Sequence, residues 1–172
     1  MMNLKGKIRI IEGFPSPGVS FKDISPLLND AEALKAAIDQ MCALVPEGTT
    51  VIVGPEARGF IFSSAMAYNL DTRLVLARKP GKLPFDTVQQ SYDLEYGTNT
   101  IELHRDSIQS GDKVVITDDL IATGGTLAAT VELIEKLGGE VVAIIALIEL
   151  TELNGRDLLG DHNVKSLIQY PC

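Results

Sequence analysis

Tryptophan is absent from the 172 residues, and cysteine occurs only at Cys42 and Cys172. Two cysteines cannot build the disulfide framework of a small secreted fold, so a reducing, cytoplasmic setting is expected. Positive charge is also scarce: 15 Lys and Arg against 23 Asp and Glu leave a net charge of −8. That balance disfavours nonspecific attachment to nucleic acid or to an anionic membrane, and neither is expected as a partner. The longest apolar run, residues 141–148, falls far short of the roughly 20 residues that cross a bilayer. The opening MMNLKGKIRIIEG lacks the apolar centre of a signal peptide. Repeats and low-complexity tracts are missing too. What is present is a 45% hydrophobic complement, enough for one compact domain spanning 1–172 with a substantial core.

The most informative stretch is 114–126, VVITDDLIATGGT. Its first four residues are β-branched and suit a buried strand. Asp118 and Asp119 then fall at the expected carboxyl end of that strand, followed by Ala122, Thr123, Gly124, Gly125 and Thr126 and a helical pattern. The glycines permit close backbone approach and positive φ, while free N–H groups at a helix start and threonine hydroxyls can hold a phosphate. The loop lacks the lysine of a P-loop and the spacing of a dinucleotide fingerprint. A bare TGGT also serves as an ordinary turn and cap. The acid pair tips the reading, because adjacent like charges repel while ribose hydroxyls are natural partners for them.

Along the chain, 8–28 is rich in Pro and Gly and reads as an ordered segment with one short strand, a hood over the domain. Asn29 or Asp30 caps a helix with apolar positions Leu34, Ala37, Ile38, Met41 and Leu44. Strands are expected at 50–54 and 73–77, with a helix over 57–69 between them. Arg58 sits at that strand-to-helix turn, where parallel sheets place their ligands; an ordinary surface charge is the plainer alternative. Arg73, Arg78, Lys79 and Lys82 fall within ten residues and form a local basic patch. Residues 78–97 read either as an exposed hairpin hinged at Gly97 or as a mobile lid. A helix over 123–138 and an apolar strand at 140–150, expected to be central, precede a turn at 154–156 and an edge strand at 164–169. The alternation predicts an α/β fold, a mainly parallel sheet covered by helices on both faces.

The apolar run, acid pair and ATGGT loop resemble the phosphoribosyl-diphosphate loop of type I phosphoribosyltransferases. FPSPGVSFKDISPLL (14–28), GPEARGF (54–60), RKPGKLP (78–84), SYDLEYG (91–97) and ELNGR (152–156) extend the resemblance to the adenine-specific branch over nearly the whole chain. It implies conversion of adenine and 5-phosphoribosyl 1-diphosphate to AMP and diphosphate with Mg²⁺, in a cytoplasmic homodimer. Asp118 and Asp119 would hold the ribose hydroxyls near the developing cation. Residues 122–126 would grip the 5′-phosphate. Arg58 and Lys82 would face the departing diphosphate, with Arg78 counted among the substrate-binding residues.

Glu95 would manage the purine proton from the lid, and Tyr96 would help close the site. Phe21 and the backbone near Lys22 would flank the base; a loop aromatic is the plainer role for Phe21. The metal would be held mainly by substrate oxygens and water, with no dedicated protein cage. Two alternatives share the loop: a transferase for another nucleobase, and a non-catalytic binder of phosphoribosyl diphosphate.

Overall fold

The computed structural model describes residues 2–93 and 97–171. The chain opens with a small antiparallel pair, β1 (Arg9–Glu12) and β2 (Ser20–Asp23), joined by the Pro-rich loop. Sequence reading expected one strand here. Four-residue strands leave too little alternation to detect, and the pairing partner lies across the loop. A short α1 (Ser25–Leu28) leads to α2 (Ala31–Cys42), whose N-cap is Asp30; its carboxylate accepts from the N–H groups of Glu32 and Ala33, both at 3.1 Å.

Then come β3 (Val51–Pro55), α3 (Gly59–Asn69) and β4 (Arg73–Ala77). A second antiparallel pair follows, β5 (Thr87–Asp93) and β6 (Thr98–His104). The chain closes with β7 (Lys113–Ile121), α4 (Gly125–Lys136), β8 (Glu140–Leu150), two 3-10 turns over Thr151–Leu153 and Gly155–Leu159, and β9 (Val164–Tyr170).

The main sheet is entirely parallel, in the order β4-β3-β7-β8-β9. Its inner strands β3, β7 and β8 are apolar at consecutive positions because both of their faces are covered. Period-two alternation sorts their side chains. Ile52, Val115, Ala143 and Ile145 pack under α2 and α3 with Met41, Phe62 and Met66. Val51, Val53, Val114, Ile116 and Ile144 face the other way, toward Leu127, Val131 and Ile134 of α4 and Ile101 and Leu103 of β6. One face is therefore covered partly by the β5–β6 hairpin rather than by helices alone. The middle strand is β7; β8, expected there from its apolarity, lies one in from the edge. Apolarity reports burial on two faces, which β7 and β8 share, and carries no information on order.

This order places the site. The chain leaves β3 through α3 for β4 on one side, and leaves β7 through α4 for β8 on the other. Between the carboxyl ends of β3 and β7 the connections diverge, opening a crevice. Close packing defines its floor. A Cβ added at Gly54 would stand 2.1 Å from Ser63 Oγ and 2.6 Å from Ser63 Cβ, so glycine lets α3 settle onto β3. Gly54→Ala is accordingly expected to lower stability by about 1–3 kcal/mol through overpacking. Adding Ser63→Gly should recover part of that loss in denaturant unfolding; no recovery would place the conflict elsewhere.

Candidate functional site

Both acids lie within the last four residues of β7, which continues past them as Leu120 pairs with Ile148 and Ile121 with Glu149. Adjacent strand residues alternate in direction, and the two carboxylates meet different surroundings. Asp119 is 5% exposed, and Arg58 Nε reaches its Oδ2 at 2.6 Å. Asp118 is half-buried, and its Oδ1 accepts the Asp119 N–H at 2.8 Å. Burial first, and then the charge of Asp119, push the Asp118 carboxyl well above the usual carboxylate range.

After β7 the chain turns through Ala122–Gly124 into α4. Gly124 has φ +85° and caps the helix with no side-chain hydrogen bond to its first turn. The N–H groups of that turn therefore face the crevice with no side chain paired to them. A Cβ at Gly124 would stand 2.3 Å from the Gly155 carbonyl oxygen, and one at Gly155 would stand 2.3 Å from the Ala122 carbonyl oxygen. Glycine is required at both positions by this approach. Thr123 is exposed, and Thr126 Oγ1 donates to Tyr92 Oη at 2.9 Å.

Two cavities open here. One of about 100 Å³ is lined by Asp118, Leu120, Ala122–Leu127 and Tyr92. The other, about 370 Å³, is lined by Glu56, Ala57, Arg58, Asp118, Asp119, Leu120 and Thr126. Asp118, Leu120 and Thr126 are common to both. A small amide-lined nest thus adjoins a larger chamber holding an acid pair and an arginine. A cavity of about 750 Å³ elsewhere is rimmed by Glu132, Glu135, Glu140 and Asp161, which repel an anionic ligand.

The remaining expected residues divide. The guanidinium of Arg58 lies over the Phe21 ring at 5.6 Å, and Phe21 meets Phe14 edge-on at 5.2 Å, so the β1–β2 hairpin reaches the acid pair. Arg78 comes to the rim, its Nε 3.6 Å from a Glu56 oxygen that also accepts the Lys79 N–H. Lys22 does not join them: its ammonium is buried, donating to Ser20 Oγ at 2.7 Å and facing the Tyr170 ring. Arg73 leaves the basic patch as well, pairing with Asp112. It begins β4, and in a parallel sheet that is the end away from the crevice. Lys82 is exposed in the connection before β5. Glu95 and Tyr96 lie outside the described residues.

Sequence reading missed Glu56, Tyr92 and Glu149 as individual residues. The first two sit inside the GPEARGF and SYDLEYG stretches, but their roles depend on contacts across the fold. Glu149, next to Ile121 in the register, is 4% exposed and takes a two-pronged Arg156 contact at 2.6 and 2.7 Å. It also accepts from Ser166 Oγ at 2.5 Å. Arg156 further donates to the Val164 carbonyl at 2.9 Å. This clamp fixes Gly155 where it meets the nest. Among the described residues no three His, Cys, Asp or Glu side chains gather as a metal cage.

The chain matches the phosphoribosyl transferase domain family over residues 20–170. It is 54% identical over 170 residues to the adenine phosphoribosyltransferase of Clostridium novyi (strain NT), covering 98% of this chain and 99% of that one. Its fold superposes on the crystal structure of adenine phosphoribosyltransferase from Thermoanaerobacter pseudethanolicus with a TM-score of 0.94 at 47% identity, covering 97% of this chain and 98% of that one. The Giardia lamblia APRTase, solved with 9-deazaadenine, gives a TM-score of 0.92 at 35% identity over 99% of both chains.

The clamp carries a pH signature. Arg156 first, with Ser166 and Gln169, holds the Glu149 carboxyl down to about 2 from an ordinary 4.5, against the opposing effect of burial. A lowered folded-state value stabilises above the ordinary one and is lost as pH falls from 4.5 toward 2. Arg156→Met should cost about 2 kcal/mol at pH 7, the guanidinium being half-exposed. The gap between parent and variant unfolding midpoints should narrow as pH drops through that window; a constant gap would assign the loss to packing.

Proposed function

The chain belongs to the phosphoribosyltransferase family, and from this premise we propose how its residues carry a sugar phosphate through the reaction. It transfers the phosphoribosyl group of 5-phosphoribosyl 1-diphosphate to adenine, giving AMP and diphosphate in purine salvage. In the proposed arrangement residues 122–126 hold the 5′-phosphate, and Asp118 and Asp119 accept hydrogen bonds from the ribose hydroxyls. The observation that supports this most is the shared wall: Asp118 and Thr126 line both the nest and the acid chamber. One sugar phosphate spans the two.

Bond making runs from an adenine ring nitrogen to the anomeric carbon while the bond to the diphosphate oxygen breaks. Positive charge grows on the ribose ring, and the acid pair stabilises that charge as ribose hydroxyls and cation enter its surroundings. Arg58 faces the departing diphosphate, aided by Arg78 at the rim and by Lys82. Phe21 and the backbone of 19–22 flank the base; Lys22 contributes its main chain alone, since its ammonium is buried elsewhere. Mg²⁺, when bound, screens the diphosphate charge. The ion would be held mainly by substrate oxygens and water, since Mg²⁺ gives up its hydration shell reluctantly.

Residues 8–28 act as a hood and 78–97 as a lid within one unit spanning 1–172. Glu95 manages the purine proton and Tyr96 helps close the site. A second copy of the chain covers the outer face of α3 and the edge strand β4, where Ile61, Tyr68, Leu74 and Leu76 stand exposed. A net charge of −8 argues against nucleic acid or anionic membrane as partners. No helix among the described residues is long and apolar enough to cross a membrane. The free Cys42 accords with a reducing cytoplasm.

With phosphoribosyl diphosphate, Mg²⁺ and each nucleobase in turn, nucleotide should form from adenine. Asp118→Asn combined with Asp119→Asn should cut turnover by at least about a hundredfold while far-UV circular dichroism stays unchanged. Near-normal turnover in that variant would remove the ribose assignment.

A further inference from the structure

Tyr92 has no part in the proposed reaction, yet it lines the nest. It stands on β5, one residue before that strand ends, and belongs to the hairpin packed beside α4. Its ring presses on the loop so closely that a Cβ at Gly125 would lie 3.0 Å from Cδ2. Its Oη receives the Thr126 hydroxyl proton at 2.9 Å. Thr126 Oγ1 is therefore engaged in the free protein by a partner that can both donate and accept.

We propose that Tyr92 is a positioning residue for the 5′-phosphate, acting through Thr126 as a two-hydroxyl relay; this rests on the reading that residues 122–126 hold that phosphate. Thr126 has a single O–H. A phosphate dianion accepts it, and Oγ1 then turns its lone pairs toward Tyr92. The tyrosine reverses its own O–H and donates to Oγ1. The chain now runs from Tyr92 Oη through Thr126 Oγ1 to a phosphate oxygen, and each bond polarises the next. No proton leaves either hydroxyl. Ring contact at Gly125 fixes the distance, so the reversal needs rotation of two hydroxyls and no backbone movement.

Tyr92→Phe keeps the ring and removes the relay. The expected result is about a fivefold rise in KM for phosphoribosyl diphosphate, a matching loss of AMP affinity by titration calorimetry, and unchanged KM for adenine. In the Thr126→Val background the same substitution should have no further effect, because the intermediary is gone. In the Thr126→Ser background, which keeps the hydroxyl, the fivefold effect should remain. A purely structural tyrosine hydroxyl would lower the unfolding midpoint and leave KM for phosphoribosyl diphosphate unmoved, overturning the relay. A full Tyr92→Phe effect in the Thr126→Val background would also overturn it. Should Thr126→Val itself leave that KM unchanged, the phosphate assignment of 122–126 fails, and the relay with it.

Discussion

The contact between Arg58 and Asp119 ties together three parts of the fold that meet at the crevice. Asp119 is withdrawn from water, and a buried polar group is costly unless it finds a partner. Arg58 supplies it at 2.6 Å from the turn after β3. The same guanidinium lies on Phe21, so one charge joins the central strand, the neighbouring strand-to-helix turn and the N-terminal hairpin. An acidic protein that handles a polyphosphate needs such local arrangements. The net charge of the whole is unfavourable, and the groups suited to an anion are local: the uncapped first turn of α4, with Arg58 in the chamber and Arg78 at its rim.

The nest depends on a different constraint, which is steric. Gly124 and Gly155 approach so closely that a single methyl on either would collide with backbone. That approach is held from behind by Arg156 on Glu149, a carboxylate one strand away and in register with Ile121, the residue just before the loop. From the front it is held by Tyr92 on Gly125 and Thr126. The amides of the α4 first turn are thus shaped before any ligand arrives, as the entropy of positioning demands. Residue types that look permissive in sequence, two glycines in a loop, are here the most restricted.

Much of this was legible beforehand, for identifiable reasons. Strand, acids, small-residue loop and helix follow one another locally, so the order of elements across 114–126 could be read directly. The α/β alternation followed from apolar periodicity, and parallel pairing from the helices between strands. What stayed hidden was long-range. Periodicity gave no order of strands, and β8 was taken for the centre although β7 occupies it. The basic cluster of 73–82 looked like one patch, but the direction of β4 sends Arg73 to the far end of the sheet and Arg78 to the crevice. Lys22 sits beside Phe21, which meets Arg58, and strand alternation turns the Lys22 side chain to the opposite side.

The proposed reaction requires one sugar phosphate to be held simultaneously by the amide nest and the acid pair. A crystal structure with AMP bound tests it most directly. The phosphate should lie against the backbone N–H groups of residues 124–126 and the ribose hydroxyls on Asp118 and Asp119. AMP bound with its phosphate outside that loop, or with its ribose away from both carboxylates, would contradict it.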